Sequence, residues 1–491
     1  MDYLYTKKTD IVCNEEKVLL RGMGLGNWLL PEGYMWKFYT KCDRPRRIEG
    51  LISHLCGDDY AGSFWKKYYD NYITEKDIEW IKAQGLNSVR IPVNARHMFW
   101  VDTNLDVYFQ MEMINKLDQC ISWCKKNNIY VFIDMHAAPG GQTGTNIDDS
   151  KENQPELFLN EIYEELLIKC WKLLADRYKE EPTVGGYDLL NEPLPEWNKQ
   201  YNGKVLPLYR SLLKNIREID KKHIIVLEGT HWSTDFSIFS ELKKGELGDN
   251  ILLEFHKYWN NPDTESLKDF MDISNNLEMP LWMGEGGENN LDWYTTAFPM
   301  YERNGIGWCF WSYKKMDTKN SPVSFEMPYH WQKILNYLDD NADVTREEAC
   351  KIFDEFLESL KRPVYQEKVM HALLRRGPLE IPAYAYDAYV IKEKRIGDVK
   401  FRSQDMCSIC FEDLHVGEPD WKRYGGEEQP STEKMFVKLN VGDELAFAFT
   451  GKIVQIDYAG DGKIEIKKKN DGLTWLCCQE KPIQLRKIVI G

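Results

Sequence analysis

What most constrains this chain is an alternation repeated eight times. Short apolar, β-branched runs recur at Leu20–Gly24, Ser88–Pro92, Tyr130–Met135, Gly186–Leu190, Ile224–Glu228, Ile251–Phe255, Leu281–Gly284 and Gly307–Trp311. Between them lie amphipathic stretches such as Glu75–Gln84, Met113–Asn127, Glu161–Lys179 and Leu206–Asp220. Strand and helix in alternation are the pattern of parallel βα units. Eight such units in about 350 residues predict a (β/α)8 TIM barrel with long loops after several strands. A helical pattern at Glu347–Leu360 closes the region.

From about Ala385 the pattern changes. Alternating runs appear at Lys434–Leu439, Glu444–Thr450, Lys452–Tyr458 and Lys463–Lys468, separated by Val-Gly-Asp, Ala-Gly-Asp-Gly and Asn-Asp-Gly turn signals. That reads as an all-β, sandwich-like module. The expected organisation is therefore a catalytic barrel over residues 1–380 and an accessory β domain over 385–491. Trp421, Tyr424 and Trp475 would make the accessory domain a sugar-binding module if they shared one exposed face; bracing of the barrel is the favoured role.

Composition narrows the function classes. The 491 residues are 43% hydrophobic and 29% charged, an ordinary globular balance that excludes collagen and wholesale disorder. No window approaches 18 consecutive apolar residues, so no membrane span is expected. Net charge is −15, from 63 Lys+Arg against 78 Asp+Glu, which lacks the basic face of a nucleic-acid binder. From residue 386 onward 17 Lys+Arg meet 18 Asp+Glu, so the acidity belongs to the barrel. The 12 Cys follow no disulfide framework and several sit in apolar runs, as in a reducing compartment. The first 20 residues carry no apolar signal-peptide core, so the expected location is the cytoplasm. The nearest approach to a zinc pattern, Cys407-Ser-Ile-Cys410 with Cys477 and Cys478, has the wrong spacing in its second pair.

In such barrels chemistry gathers at the C-terminal ends of the strands. Reading those ends in order gives Arg90 from the second strand, Asp134 and His136 from the third, Asn191 and Glu192 from the fourth, His256 and Tyr258 from the sixth, Glu285 from the seventh and Trp311 from the eighth. Two carboxylates, Glu192 and Glu285, thus face each other across the barrel mouth. Such a pair cuts glycosidic bonds, with retention at about 5 Å separation and inversion at roughly 6.5–9.5 Å. One carboxyl must hold a proton for the leaving oxygen and the other must stay ionised. A nearby Arg90 would keep the attacker charged, Tyr258 would hydrogen-bond it, and Trp311 offers a flat face to a sugar ring. No metal-ligand spacing occurs among these positions, and no cofactor is expected.

These residues together resemble glycoside hydrolase family 5, the cellulase-like retaining β-glycosidases, over about residues 18–340. Asn191-Glu192-Pro193 is similar to that family's acid/base motif, and Glu285 in Gly-Glu-Gly to its nucleophile. Arg90, His136, His256, Tyr258 and Trp311 fall on its other characteristic positions. Arg21-Gly22-Met23-Gly24-Leu25-Gly26-Asn27-Trp28-Leu29-Leu30-Pro31-Glu32 is similar to the first strand of the exo-β-1,3-glucanase branch, as is the His136-Ala-Ala-Pro-Gly-Gly-Gln-Thr-Gly loop. The resemblance implies that Glu32 binds the non-reducing-end glucose. The match departs at Asn146, where the branch carries Asp, although Asp148 and Asp149 follow. The expectation is a retaining exo-acting β-glucosidase or β-glucanase working on an oligosaccharide or small β-glycoside. Alternatives are an endo-β-glucanase or mannanase, a glucosyl-glycoconjugate hydrolase and, outside the class, a catalytically inactive sugar-binding protein.

Overall fold

The structure is a computed structural model that describes residues 1–394, 397, 399–421 and 434–491. Eight parallel strands close a barrel: β1 Arg21–Gly24, β2 Ser88–Asn94, β3 Tyr130–Ala137, β4 Val184–Asp188, β5 Ile224–Glu228, β6 Ile251–His256, β7 Leu281–Gly287 and β8 Gly307–Trp311. β8 pairs with β1 to complete the ring. Every residue of β2, β5, β6, β7 and β8 is buried, because helices cover one side and the opposite strands the other. This is why these strands read as largely apolar runs.

Side chains alternate along a strand with a period of two, and that alternation sorts the barrel into layers. In β3 Val131 and Ile133 pack in the outer core while Phe132, Asp134 and His136 share the opposite face; β6 does the same with Leu253 and Phe255 against Leu252, Glu254 and His256. At the bottom, Leu20, Phe132, Ile224, Val226, Leu252, Trp282 and Cys309 form a separate apolar cluster. Leu4 and Ile11 join it from an N-terminal antiparallel ribbon (Tyr5–Lys7, Asp10–Cys13, Glu16–Lys17), which stoppers that end of the barrel. Above the apolar layer comes a charged one, and above that the open mouth.

The C-terminal residues form two antiparallel sheets. One runs β9 Leu379–Pro382, β17 Ile483–Ile490, β12 Met435–Leu439, β11 Ser408–Phe411, with β14 Ile453–Ala459 also paired to β17. The other runs β10 Ala388–Val390, β13 Glu444–Phe447, β16 Thr474–Gln479, β15 Lys463–Lys468. The first of these strands, β9, begins at Leu379, so its first two residues come from the 1–380 stretch that sequence reading assigns to the barrel. Cys410 and Cys477 lie on different sheets, and all 12 cysteines are free thiols.

Of the three aromatics that would make an exposed line, Trp421 and Trp475 are buried, at 1% and 7% exposure, and Tyr424 lies outside the described residues. Trp421 is committed to the barrel instead: its Nε1 donates to Asn261 Oδ1 at 3.0 Å and its carbonyl accepts from Asn289 Nδ2 at 3.2 Å. Arg402 N donates to Asp263 Oδ2 at 3.1 Å. These contacts fall on the loops that follow β6 and β7.

Candidate active site

Arg90, at the centre of the charged layer, is fully buried. Its Nε donates to Asp188 Oδ2 at 2.9 Å, its Nη1 to Glu285 Oε2 at 2.8 Å, and its Nη2 to Asn191 Oδ1 at 2.8 Å and Glu228 Oε1 at 3.0 Å. Asp134 Oδ2 lies 3.1 Å from Nη1 and Glu254 Oε1 3.4 Å from Nε. One guanidinium therefore faces five carboxyl groups. It cannot neutralise them all, and burial penalises the charged forms: Asp134 and Asp188 are each pushed up to about 7, Glu228 and Glu254 well above the carboxylate range. Sequence reading noted Asp134 without a role and missed Asp188, Glu228 and Glu254. A carboxylate inside an apolar parallel strand is itself the signal, because a buried charge must find a partner.

Of the predicted site residues, the structure brings together Arg90, His136, Asn191, Glu192, His256, Tyr258, Glu285 and Trp311. Glu192 follows β4 with φ 44°, in the left-handed region, and its backbone N–H is held by Glu228 Oε2 at 2.7 Å. Glu192 Oε1 lies 2.7 Å from His256 Nδ1, and Glu285 Oε1 lies 4.0 Å from the same nitrogen. One oxygen of Glu192 is within 4.8 Å of one of Glu285. Tyr258 donates its hydroxyl to Glu285 Oε1. Burial raises both carboxyls, and the charge of Glu285 raises Glu192 further, while Arg90 and the Tyr258 hydroxyl pull Glu285 back. The proton of the pair therefore belongs on Glu192 and the charge on Glu285.

His136 Nδ1 lies 2.6 Å from Asp134 Oδ2, and its Nε2 is 3.4 Å from Asn191 Nδ2. Burial lowers it to about 3, so the ring is neutral. It lies parallel to the Trp311 indole, ring centroids 5.4 Å apart. Trp311 Nε1 donates to the Tyr34 hydroxyl at 2.9 Å, a partner no sequence signal marks. Glu32 is 2% exposed and its Oε1 has no hydrogen-bond partner. Burial and the charges of Glu285 and Glu288 raise it well above the carboxylate range, so it shares the mouth with the nearer carboxyl pair. Asp148 and Asp149 are buried in their own loop: Asp148 Oδ2 accepts from the N–H groups of Thr143 and Gly144, and Asp149 Oδ2 from Arg96 Nε.

Two groups of donor atoms lie close enough to surround an ion: Glu192, His256 and Glu285, and Glu228, Glu254 and His256. Arg90 contacts Glu228, Glu254 and Glu285 directly, so the cation around which this cluster is built is a guanidinium.

The family model described as cellulase (glycosyl hydrolase family 5) matches residues 51–317. A β-xylosidase of Phanerodontia chrysosporium is 30% identical over 52% of this chain and 52% of its own, so the chain spans about half the length of that relative. Endoglucanase C of Acetivibrio thermocellus is 26% identical over 54% of this chain and 92% of its own. A glucan 1,3-β-glucosidase of Lachancea kluyveri is 25% identical over 65% of this chain and 87% of its own. Among the described residues no helix is long and apolar enough to cross a membrane.

Proposed function

Because the chain belongs to glycosyl hydrolase family 5, the cellulase family, we propose that it hydrolyses β-glucosides or β-gluco-oligosaccharides with retention, from the non-reducing end. Glu285 attacks the anomeric carbon while Glu192 passes its proton to the departing oxygen. Water then attacks the glycosyl–Glu285 bond and returns a proton to Glu192. The observation that carries this reading is the separation of the pair: oxygens within 4.8 Å match the roughly 5 Å spacing of retaining enzymes and fall short of the roughly 6.5–9.5 Å of inverting ones. Arg90 and Tyr258 keep Glu285 ionised and aimed. Asn191, fixed by Arg90 and His136, is positioned for the sugar 2-hydroxyl, and Trp311 with His136 walls the site.

Glu32 supports action at a chain end. A buried carboxyl oxygen without a partner is costly, and sugar hydroxyls would satisfy it. The glucan 1,3-β-glucosidase relative favours the same reading; the endoglucanase relative favours an open-cleft, endo-acting one. The 12 free thiols suit a reducing, cytoplasmic setting, where oligosaccharides rather than polymers would be met. The test is product stereochemistry by NMR on an aryl β-glucoside: the β-anomer must appear first. Glu285→Ala should abolish turnover, and azide should rescue Glu192→Ala on an activated aryl glycoside. A first-formed α-anomer would refute retention, and mid-size oligomers before monosaccharide would refute chain-end action.

A further inference from the structure

His256 carries a carboxyl group on each ring nitrogen. Its Nδ1 lies 2.7 Å from Glu192 Oε1 and its Nε2 3.1 Å from Glu254 Oε1, and all three groups are buried. A nitrogen and an oxygen this close need a proton between them. The line Glu192–His256–Glu254 therefore holds two protons. A neutral imidazole supplies one, and burial keeps this ring neutral. The second must sit on a carboxyl. Burial raises both carboxyls, and the charge goes to the better-compensated one: Glu254 has Arg90 Nε at 3.4 Å, whereas no salt bridge joins Glu192 to Arg or Lys among the described residues. The place for Glu254 is also built into the neighbouring strand: a Cβ on Gly284 of β7 would lie 1.8 Å from Glu254 Oε1, so only glycine lets that carboxyl pass.

Resting on the reading of Glu192 as acid/base, we propose that Glu254 is a positioning residue that holds the catalytic proton on Glu192 through His256. Its carboxylate accepts the Nε2–H, and the Nδ1 lone pair is left to accept the O–H of Glu192. On cleavage the Glu192 O–H bond breaks and its proton leaves with the departing oxygen. The line then keeps one proton, on Nε2, with the Glu192 carboxylate facing a bare Nδ1. That contact is repulsive and makes Glu192 a stronger base for the incoming water, whose O–H bond breaks to restore the second proton. The other groups facing the line are Arg90 from β2, Asp134 and His136 from β3, Asp188 from β4, Glu228 from β5, Tyr258 after β6, Glu285 from β7, Cys309 from β8 and Glu32 after β1. All remain when Glu254 alone is changed.

The test is Glu254→Gln, which keeps the size and removes the charge. On an alkyl β-glucoside, whose poor leaving group needs the proton, the alkaline limb of kcat/KM should move down by about one pH unit or more. On a dinitrophenyl β-glucoside, which departs without it, kcat/KM at neutral pH should change far less. Glu254→Asp, keeping the charge, should keep the limb. An unmoved limb, or equal losses on both substrates, overturns the proposal. A second readout needs no turnover: in 15N-histidine-labelled wild-type protein the His256 ring should carry its proton on Nε2, and a proton on Nδ1 overturns the proposal. If the wild type cleaves no β-glycoside, the assignment of Glu192 fails, and the ring tautomer still decides the role of Glu254.

Discussion

Glu32 is a side chain the protein leaves unfinished. Its backbone N–H is held by Asn27 Oδ1 at 3.1 Å, yet Oε1 is buried without a donor. If that oxygen grips the terminal sugar, Glu32→Ala should lower kcat/KM on a disaccharide by one to two orders of magnitude, about 1.4–3 kcal/mol, the size of the penalty for leaving a buried sugar hydroxyl unpaired. Short substrates should suffer most, having few other contacts to hold them in register. The same substitution should leave the thermal midpoint unchanged or higher, because it removes a buried group with no protein partner. Steady-state kinetics beside calorimetry checks both, and a drop in midpoint with unchanged kinetics would assign Glu32 to structure alone. The carboxyls around Arg90 have a different signature. Asp134 and Asp188 rise from 3.8 to about 7 on folding, so between roughly pH 4 and 7 the folded chain binds protons that the unfolded chain has lost. Stability contributed by these groups is complete below the unfolded value and falls as pH rises through the folded one. Glu49 and Asp220, lowered to about 2, titrate below this window, and the buried His136 and His256, lowered from 6.5, oppose the trend within it, but the raised carboxyls, Glu192, Glu228 and Glu254 included, outnumber them. The thermal midpoint should therefore be higher at pH 5.5 than at pH 7.5, and a flat profile across that range would mean the cluster keeps its charges.

At the scale of the strand, what sequence reading recovers and what it loses follow the same rule. Eight strands were legible because each is buried on both sides and must be apolar, and the site residues were legible because they sit where a barrel strand runs out. Glu228 and Glu254 were not, because they stand one layer deeper, inside runs that read as core. Only the closed ring reveals that one arginine on β2 faces four such residues on β3, β4, β5 and β6. The first strand shows the converse, a constraint written as an absence. A Cβ on Gly24 would lie 2.6 Å from the Trp311 indole, so β1 must be bare there for the ring to lie flat along His136. Gly24→Ala should tilt that ring, with an overpacking cost of about 1–3 kcal/mol and a loss of kcat/KM larger than any rise in KM. Intact turnover with an unshifted Trp311 in a crystal structure of the variant would show that the wall can give way elsewhere.

At the scale of the molecule, the C-terminal sheets hold the barrel from outside. Arg375 is buried at the junction: its Nε donates to the Thr295 carbonyl at 2.8 Å, its Nη1 to Asp387 Oδ2 at 2.6 Å and its Nη2 to the Ala385 carbonyl at 2.6 Å. With Trp421 on Asn261 and Asn289, this fastens the far module to the loops that carry Tyr258 and follow Glu285. The turns between these strands were legible from Gly and Asp signals. The inward direction of Trp421 and Trp475 was not, because an aromatic residue reads alike whether it faces sugar or core.

A single strand, β17, ties this module together. β17 pairs with β9, β12 and β14, and Gly491 exchanges backbone hydrogen bonds with Lys452, its N–H donating at 2.9 Å and its carbonyl accepting at 3.1 Å. A strand in the middle of a sheet satisfies backbone groups on both of its sides, so without β17 the strands β9, β12 and β14 lose their shared partner. The loops bearing the catalytic mouth would then lose their brace. A chain stopped after Pro482 should be insoluble or rapidly cut by protease while carrying every residue of the candidate site, and a soluble product with the midpoint of residues 1–491 would show the brace to be dispensable. Built this way, the module resembles an arch with one keystone: take out β17 and three other strands lose their footing.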